Sequence, residues 1–286
     1  MRFFRNFAGI ALAIILAGCA KIDTNLRIHV SEGANPWTHL CLNNDPNNFR
    51  FAIVADRTGE HRPGVFADAV KKLNLLNPEF VISIGDLIEG YSEDETELNR
   101  QWNEFDSLVN KLQMPFFYLA GNHDIDNAVT ARIWQKRFGP SYYHFVYRNV
   151  LFLCLNTEDT EPGYITDEQF EYFEKVIKAN GNVRWILVFM HKPLWSNAET
   201  VEDWRKVTSL LGARQYTVFA GHRHTYAKSV YSGKRYYILA TTGAGKPTGL
   251  EECKFDHIVW VTMTDAGPVI ANLLLDGIID DDPCPQ

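Results

Sequence analysis

Five apolar segments of this chain each end at side chains able to bind a metal ion or move a proton. The groups are, in chain order, Ala55-Asp56-Arg57-Thr58, Gly85-Asp86, Gly121-Asn122-His123-Asp124, Met190-His191-Lys192-Pro193 and Gly221-His222-Arg223-His224. Any one of them is also typical of an ordinary turn. Their repetition constrains the fold, because ligands beyond the carboxyl ends of several strands form one site only where those ends meet.

Helical and strand patterns alternate between these groups. Strands are predicted at 49–55, 80–84, 115–120, 185–190, 216–220, 228–232, 234–240, 255–264 and 267–275, a hairpin at 142–147 and 150–156, and one further strand at 26–30. Helices are predicted at 65–76, 98–112, 128–137, 167–179 and 200–211. This alternation is typical of an α/β protein, and the continuous apolar strands indicate that both sheet faces are covered.

The N-terminus resembles the signal peptide of a bacterial lipoprotein. Arg2 and Arg5 precede an apolar run of 12 residues, 7–18, which is too short to span a bilayer. The run ends in Leu-Ala-Gly before Cys19, which is similar to a lipobox and predicts Cys19 as the lipidated first residue of the mature chain. Ala20 favours the outer membrane in a Gram-negative cell. A plain secretory signal with a chance cysteine is the alternative.

The remaining chain divides at changes in composition. We predict a signal peptide at 1–18, a tether and irregular lead-in at 19–48, one folded domain at 49–276 and a C-terminal tail at 277–286. Export would allow disulfides to persist. Cys154 lies in an apolar strand and is predicted to be a small buried hydrophobe. Pairing among the other cysteines stays open, and none has zinc-site spacing: Cys41, Cys253 and Cys284.

The formal net charge of -7 gives no electrostatic reason to expect a nucleic acid duplex as partner. A substrate phosphate would therefore have to be met by local positive charge or by a metal ion. The sequence leaves the oligomeric state open.

Six of the strand-end residues are hard or borderline metal ligands: Asp56, Asp86, Asn122, His191, His222 and His224. A carboxylate can bridge two cations with its two oxygens. If residues 222–224 are extended, both imidazoles lie on one side. The set is sufficient for two cations about 3.5–4 Å apart, the arrangement that clamps both oxygens of an in-line phosphoryl displacement.

The order of these motifs resembles the calcineurin-like metallophosphoesterase superfamily over about Phe49 to Leu275, with Gly-Asn-His-Asp and Gly-His-x-His as its most specific parts. The resemblance implies an α/β fold, a four-layer αββα sandwich of two mixed β-sheets flanked by helices. It also implies a dinuclear phosphoric ester hydrolase that acts on a small phosphate ester, monoester or diester, through a metal-bridging hydroxide.

The resemblance also implies roles for single residues. Asp56 and His224 match ligands of the first metal, and Asp86 matches the bridging carboxylate. Asn122, His191 and His222 match ligands of the second metal. His123 matches the histidine that stabilises the transition state or protonates the leaving oxygen, and Asp124 the carboxylate that orients it. Arg57 and Asn122 are candidate contacts to the substrate, although a surface salt bridge is equally compatible with Arg57.

Position 58 departs from the family pattern, which is usually Asp-x-His, because Thr58 offers only a neutral hydroxyl. Water could fill the gap and leave an oxygen-rich site that prefers Mn²⁺ or Mg²⁺ over Zn²⁺. Some branches of the superfamily act without this histidine. Alternatively, the first site is weak and the chain is a surface-tethered binding protein. We expect two divalent ions of the Mn/Mg or Fe/Zn type, with Mn²⁺ favoured, and expect residues 87–97 and 193–204 to select the substrate.

Overall fold

The computed structural model describes Thr38, residues 42–159, 165–275 and 277–279. The chain divides into two compact units, Met1–Pro46 and Asn47–Gln286, and every element described below belongs to the second. Several predictions concern residues outside the described ranges: the signal peptide at 1–18, lipidation of Cys19, the strand at 26–30 and the end of the tail at 280–286.

Strands and helices alternate along the first half of this unit. The elements are β1 (Phe49–Val54), α1 (Val65–Leu76), β2 (Val81–Ser83), α2 (Glu95–Val109), β3 (Phe116–Phe117) and α3 (Ala128–Phe138). A hairpin then begins the second half. Its elements are β4 (Tyr143–Tyr147), β5 (Val150–Cys154), α4 (Asp167–Ala179), β6 (Trp185–Phe189), a 3₁₀ turn (Leu194–Ser196), α5 (Val201–Leu211) and β7 (Tyr216–Ala220).

The C-terminal part contains only strands, β8 (Ala227–Tyr231), β9 (Lys234–Ile238), β10 (His257–Thr264), β11 (Gly267–Leu274) and β12 (Gly277–Ile279). None of the helices in the described part of the chain is long and apolar enough to cross a membrane.

The strands form two six-stranded mixed sheets, in the orders β12-β11-β10-β1-β2-β3 and β4-β5-β6-β7-β9-β8. In the first sheet β1, β2 and β3 are parallel. In the second, β5, β6, β7 and β9 are parallel. Within each sheet, the carboxyl ends of these parallel strands therefore lie at the same edge, which is where the polar groups follow.

Residue alternation along β1 shows how both faces of a sheet are covered. Phe49, Phe51 and Ile53 enter the core between the two sheets. Ala52 and Val54 point the other way, into the core formed with α1, α2 and α3. A third core lies between the second sheet and α4 and α5. The predicted αββα sandwich is confirmed.

Three predicted boundaries are wrong for physical reasons. Helix α2 begins three residues earlier than predicted, at Glu95, because the Asp94 side chain accepts hydrogen bonds from the N–H groups of Thr96 and Glu97. Strand β3 contains only two of the six predicted residues, because it pairs with β2 over two positions alone. Residues 277–279, predicted as tail, pair with β11 and extend the first sheet.

The described cysteines differ in state. Cys154 is a free, buried thiol in β5, as predicted. Cys253 is disulfide-bonded, and its partner lies outside the described residues. Which cysteine pairs with it stays open.

His257 provides a test of the buried core at the start of β10. Its Nδ1–H donates to Asn272 Oδ1 at 2.8 Å, and burial lowers the pKa of His257 from 6.5 to about 4. Between these two values the unfolded chain binds a proton that the folded chain excludes. The resulting contribution to the free energy of unfolding is complete above pH 6.5 and is lost as the pH falls toward 4.

We therefore expect the wild type to lose about 2–3 kcal/mol more of its free energy of unfolding than His257→Gln between pH 7 and pH 4. Urea denaturation of both proteins at the two pH values measures this difference. Equal losses would contradict a neutral, buried His257.

Candidate metal centre

The carboxyl ends of five strands from both sheets meet at one place. Residues after β1, β2 and β3 come from the first sheet, and residues after β6 and β7 come from the second: Asp56, Asp86, Asn122, His123, His191, His222 and His224. Apolar cores cover both sheets, so the site lies between two packed layers.

Two groups of three side chains could each hold a metal ion. Asp56, Asp86 and His224 form one group, which we call group A, and Asp86, His191 and His222 form the other, group B. Within each group the ligand atoms lie within 4.8 Å of one another. Asp86 belongs to both groups, which is the position of a bridging carboxylate.

Asn122 joins group B through His191. The His191 Nδ1–H donates to the Ile84 carbonyl oxygen at 2.9 Å, so Nε2 is the atom that faces the site. This Nε2 lies 3.0 Å from Asn122 Oδ1 and 3.1 Å from Asp86 Oδ2. The structure therefore brings all six predicted ligands together, and metal binding by them stays a prediction.

Four of these six residues have left-handed backbone conformations. Their φ angles are 31° for Asp56, 57° for Asp86, 73° for His222 and 51° for His224. Non-glycine residues held in this region cost about 1–3 kcal/mol each, and such residues cluster at functional sites. Residues 222–224 are consequently not extended, so the condition for both imidazoles to lie on one side is not met, and the two imidazoles belong to different groups.

The buried oxygens of the first motif fit a cation. Asp56 is fully buried, and its Oδ1 accepts from the His222 backbone N–H at 2.8 Å. Its Oδ2 has no hydrogen-bond partner among the described residues, and neither has the buried Thr58 hydroxyl. Burying an oxygen without a partner costs free energy. A divalent cation bound at group A would coordinate these oxygens and offset that cost.

Asp86 and His191 shift each other's pKa values in opposite directions. Burial lowers the pKa of His191, but the Asp86 carboxylate outweighs burial and raises it to about 10. Burial raises the pKa of Asp86, whereas the His191 charge and hydrogen bond lower it to about 2. Because only a neutral imidazole binds metal, a cation must displace the His191 proton, and metal binding releases protons.

His123 is held so that one ring nitrogen stays available. Its backbone N–H donates to Asp86 Oδ1 at 3.0 Å, and its Nδ1–H donates to the Glu89 carbonyl oxygen at 2.7 Å. The ring packs edge-on against Tyr91, with centroids 4.6 Å apart. Nε2 is then the nitrogen that can act on a substrate.

The predicted role of Asp124 is wrong. Its Oδ1 accepts from the N–H groups of Leu87 and Ile88, and its Oδ2 accepts from the Gly121 N–H. Asp124 is fully buried and ties the loop after β2 to the loop after β3. The Glu89 carbonyl orients His123 instead.

Arg57 forms the ion pair that was the alternative to a substrate contact. Its guanidinium donates to the Leu87 carbonyl oxygen at 2.9 Å and to Glu104 at 2.5 Å, and it lies over the Phe105 ring. Arg57 therefore anchors the loop after Asp56 to helix α2, and a contact with the substrate stays a prediction.

Sequence reasoning missed two contacts to the predicted site residues. The Tyr91 hydroxyl accepts from Asn122 Nδ2 at 2.6 Å, and the Glu89 carbonyl oxygen accepts from the His123 Nδ1–H. Both residues lie in the acidic loop after Asp86, which was expected to flank the site. Their position in this loop is the one sequence feature that could have indicated these contacts. Their side-chain types alone carried no such information.

Two cavities open beside the cluster. One of about 640 Å³ is lined by Tyr91, Asn122, His222 and part of helix α3, and contains three carboxylates and one ammonium: Asp126, Glu158, Asp159 and Lys192. Lys192 donates to the buried Glu158 at 2.7 Å. The other, of about 360 Å³, is lined by His222, Arg223 and residues of the segment 193–200. Residues of both predicted flanking segments therefore border the site.

Comparison with known proteins agrees with this geometry. A model of the calcineurin-like phosphoesterase family matches residues 43–226. The chain is 27% identical to the serine/threonine-protein phosphatase CPPED1 of Bos taurus over 202 residues, which are 61% of this chain and 63% of the relative. It is 27% identical to purple acid phosphatase 5 of Arabidopsis thaliana over 215 residues, 68% of this chain and 48% of the relative. The matches thus span less than two thirds of each relative.

Solved structures show the same fold. A dimetal phosphatase from Danio rerio superposes with a TM-score of 0.61 at 14% identity, over 82% of this chain and 98% of that chain. The purple acid phosphatase PPD1 from yellow lupin gives a TM-score of 0.64 at 17% identity, over 82% of this chain and 53% of that chain.

Gly121 provides a test of the close packing in the centre. A Cβ atom there would lie 2.3 Å from Asp86 Oδ1 and 2.9 Å from His191 Nδ1. We expect Gly121→Ala to displace both side chains and to weaken Mn²⁺ binding at least tenfold, because the two residues serve group B together. Isothermal titration with Mn²⁺ measures this loss.

The matched control is Gly181→Ala, where a Cβ atom would have only one neighbour, 3.8 Å away. Wild-type Mn²⁺ affinity in Gly121→Ala would show that the packing against Asp86 and His191 does not matter for metal binding.

Proposed function

The chain belongs to the calcineurin-like phosphoesterase family, and we propose that it hydrolyses phosphoric esters at a centre of two divalent cations. The observation that carries this proposal is that Asp86 belongs to both groups A and B. One carboxylate placed between two ligand groups is the arrangement that holds two cations close enough to act on one phosphate. The names of the similar proteins, phosphatases in each case, support hydrolysis.

Each group would hold one ion. Asp56, Asp86 and His224 would hold the first, while Asn122 and the members of group B would hold the second. Oxygen ligands form most of the first group, which favours Mn²⁺ or Mg²⁺ over Zn²⁺ there. When bound, the ions supply positive charge for the phosphate oxygens and lower the pKa of bound water.

His123, as an imidazolium, would be the proton donor to the leaving oxygen. Its Nδ1–H donates to the Glu89 carbonyl oxygen, which fixes the ring, and the proton on Nε2 would pass to the leaving oxygen. Asn122, which borders the larger cavity and is tied to Tyr91, would contact the substrate phosphate as well as the second ion. The chain thereby places a ligand and a proton donor in adjacent positions.

A binding protein on the same scaffold is the second candidate. It is favoured by one observation, the fully buried Thr58 at a position where the family usually has a ligand histidine. If group A holds its ion weakly, the chain would bind phosphate esters without turning them over.

We expect His123→Ala to lower kcat for p-nitrophenyl phosphate or bis-p-nitrophenyl phosphate by about 10²–10⁴, with the metal content unchanged, because a positioned general acid contributes that much. Asp86→Asn should lose both metal and activity, since it removes the shared ligand. Assays with Mn²⁺, Mg²⁺ and Zn²⁺, together with metal analysis, separate the two effects.

If the wild type is no more active than Asp86→Asn with every metal, the binding protein is favoured. The ratio of the diester rate to the monoester rate indicates which of these two classes of ester the protein prefers.

We also propose that the mature protein is exported and anchored to the outer membrane through lipid on Cys19. The lipobox-like sequence before Cys19 supports this, and so does the disulfide at Cys253, because disulfides persist in oxidising compartments. Residues 19–48 would then link the anchor to the folded unit.

We expect wild-type protein made in a Gram-negative host to incorporate an alkynyl fatty acid and to sediment with outer membranes, and Cys19→Ala to do neither. Ser31→Ala, in the predicted tether, is the control. Unlabelled, soluble wild-type protein would contradict the lipid anchor.

A further inference from the structure

The two ligand groups are unequal. Group B gains Asn122 and so has four candidate ligands, whereas group A has only Asp56, Asp86 and His224. Position 58, where the family pattern has a histidine, contributes a short hydroxyl. Group A therefore lacks one ligand beside the two buried oxygens that have no hydrogen-bond partner, Asp56 Oδ2 and Thr58 Oγ1.

The Glu89 carboxylate is bound by the loop that follows Asp56. Its Oε1 accepts from the backbone N–H of His61 at 2.9 Å and lies 2.8 Å from His61 Nδ1. The Thr58 hydroxyl and the backbone N–H groups of Glu60 and His61 face this carboxylate and favour its charged form. Burial raises the pKa of Glu89, whereas these neighbours outweigh burial and lower it to about 2. Glu89 is therefore an anion over the whole physiological range.

The loop that holds Glu89 also touches the ring of His224. A Cβ atom on Gly59 would lie 2.7 Å from His224 Cε1, 3.4 Å from its Nε2 and 3.7 Å from His123 Nε2. Gly59 thus lies against the His224 imidazole, which belongs to group A. The same short loop, through His61, binds the Glu89 carboxylate.

We propose that Glu89 supplies the missing ligand of group A and replaces the histidine absent at position 58. This inference rests on the proposed function, because it presupposes a centre of two ions. Group A would then consist of three carboxylates, from Asp56, Asp86 and Glu89, and one imidazole, from His224. Such a set selects Mn²⁺ over Zn²⁺. His61 acts as a positioning residue, since ligating carboxylates are themselves held by hydrogen bonds.

The first test is metal binding by Glu89→Gln, which keeps the shape of the side chain and removes its charge. We expect one of two Mn²⁺ equivalents to bind at least about tenfold more weakly, since loss of an outer-shell partner alone costs about 10–100-fold and Glu89 would be a direct ligand. The other equivalent should be unchanged. Isothermal titration and metal analysis after dialysis provide the readout without any activity assay.

The second test introduces a histidine at position 58 to replace the ligand that Glu89→Gln removes. Thr58→His combined with Glu89→Gln should recover the second equivalent and bind Zn²⁺ better relative to Mn²⁺ than the wild type does, because an imidazole replaces a carboxylate. Glu93→Gln, an exposed residue of the same loop, is the control and should bind two Mn²⁺ ions normally. Circular dichroism of each variant establishes that it is folded.

The outcomes separate this inference from the proposed function. A wild type that binds fewer than two ions would overturn the dinuclear centre itself. Two ions in the wild type and two equally tight ions in Glu89→Gln would overturn the role of Glu89 alone. Weakened binding in a folded Glu89→Gln that Thr58→His does not restore would show that Glu89 acts away from the gap at position 58.

Discussion

The Asp86 carboxylate is the point on which the rest of the site depends. It follows β2 of the first sheet, yet its Oδ2 lies 3.1 Å from His191 of the second, and its Oδ1 accepts from the His123 backbone at 3.0 Å. One side chain therefore joins both sheets, both ligand groups and the proposed proton donor. Because it is almost fully buried, its charge acts with little screening by water. Burial lowers the pKa of His191, and the Asp86 charge raises it again.

The surrounding backbone is strained to bring the ligands this close. Asp56, Asp86, His222 and His224 all have positive φ angles, and Gly121 leaves no space for a side chain beside Asp86. Such conformations persist only where the structure around them fixes them. Here the three apolar cores hold the strands, and Asp124 and Arg57 fasten the loops that follow them. These two residues support the site by holding its loops together.

The difference between metal-ligand residues and loop-supporting residues explains which predictions from sequence were right. The αββα fold was implied by the family resemblance, whereas the convergence of six ligand-type residues followed from the strand ends, because parallel strands in a sheet deliver their carboxyl ends to a common edge. The roles of Asp124 and Arg57 did not follow. A carboxylate next to His123 in sequence can point toward it or toward the backbone N–H groups of another loop, and only the fold decides between them.

The sequence by itself determined the element order, the two covered sheets and the set of residues able to bind metal, since periodicity and residue chemistry are properties of the chain. The tertiary structure alone decided that Asp86 lies between two ligand groups, that the Glu89 carbonyl orients His123, and that the loop after Thr58 binds the Glu89 carboxylate through His61. The physical reason is that these contacts join loops distant in sequence, and their geometry depends on left-handed turns that no local pattern specifies.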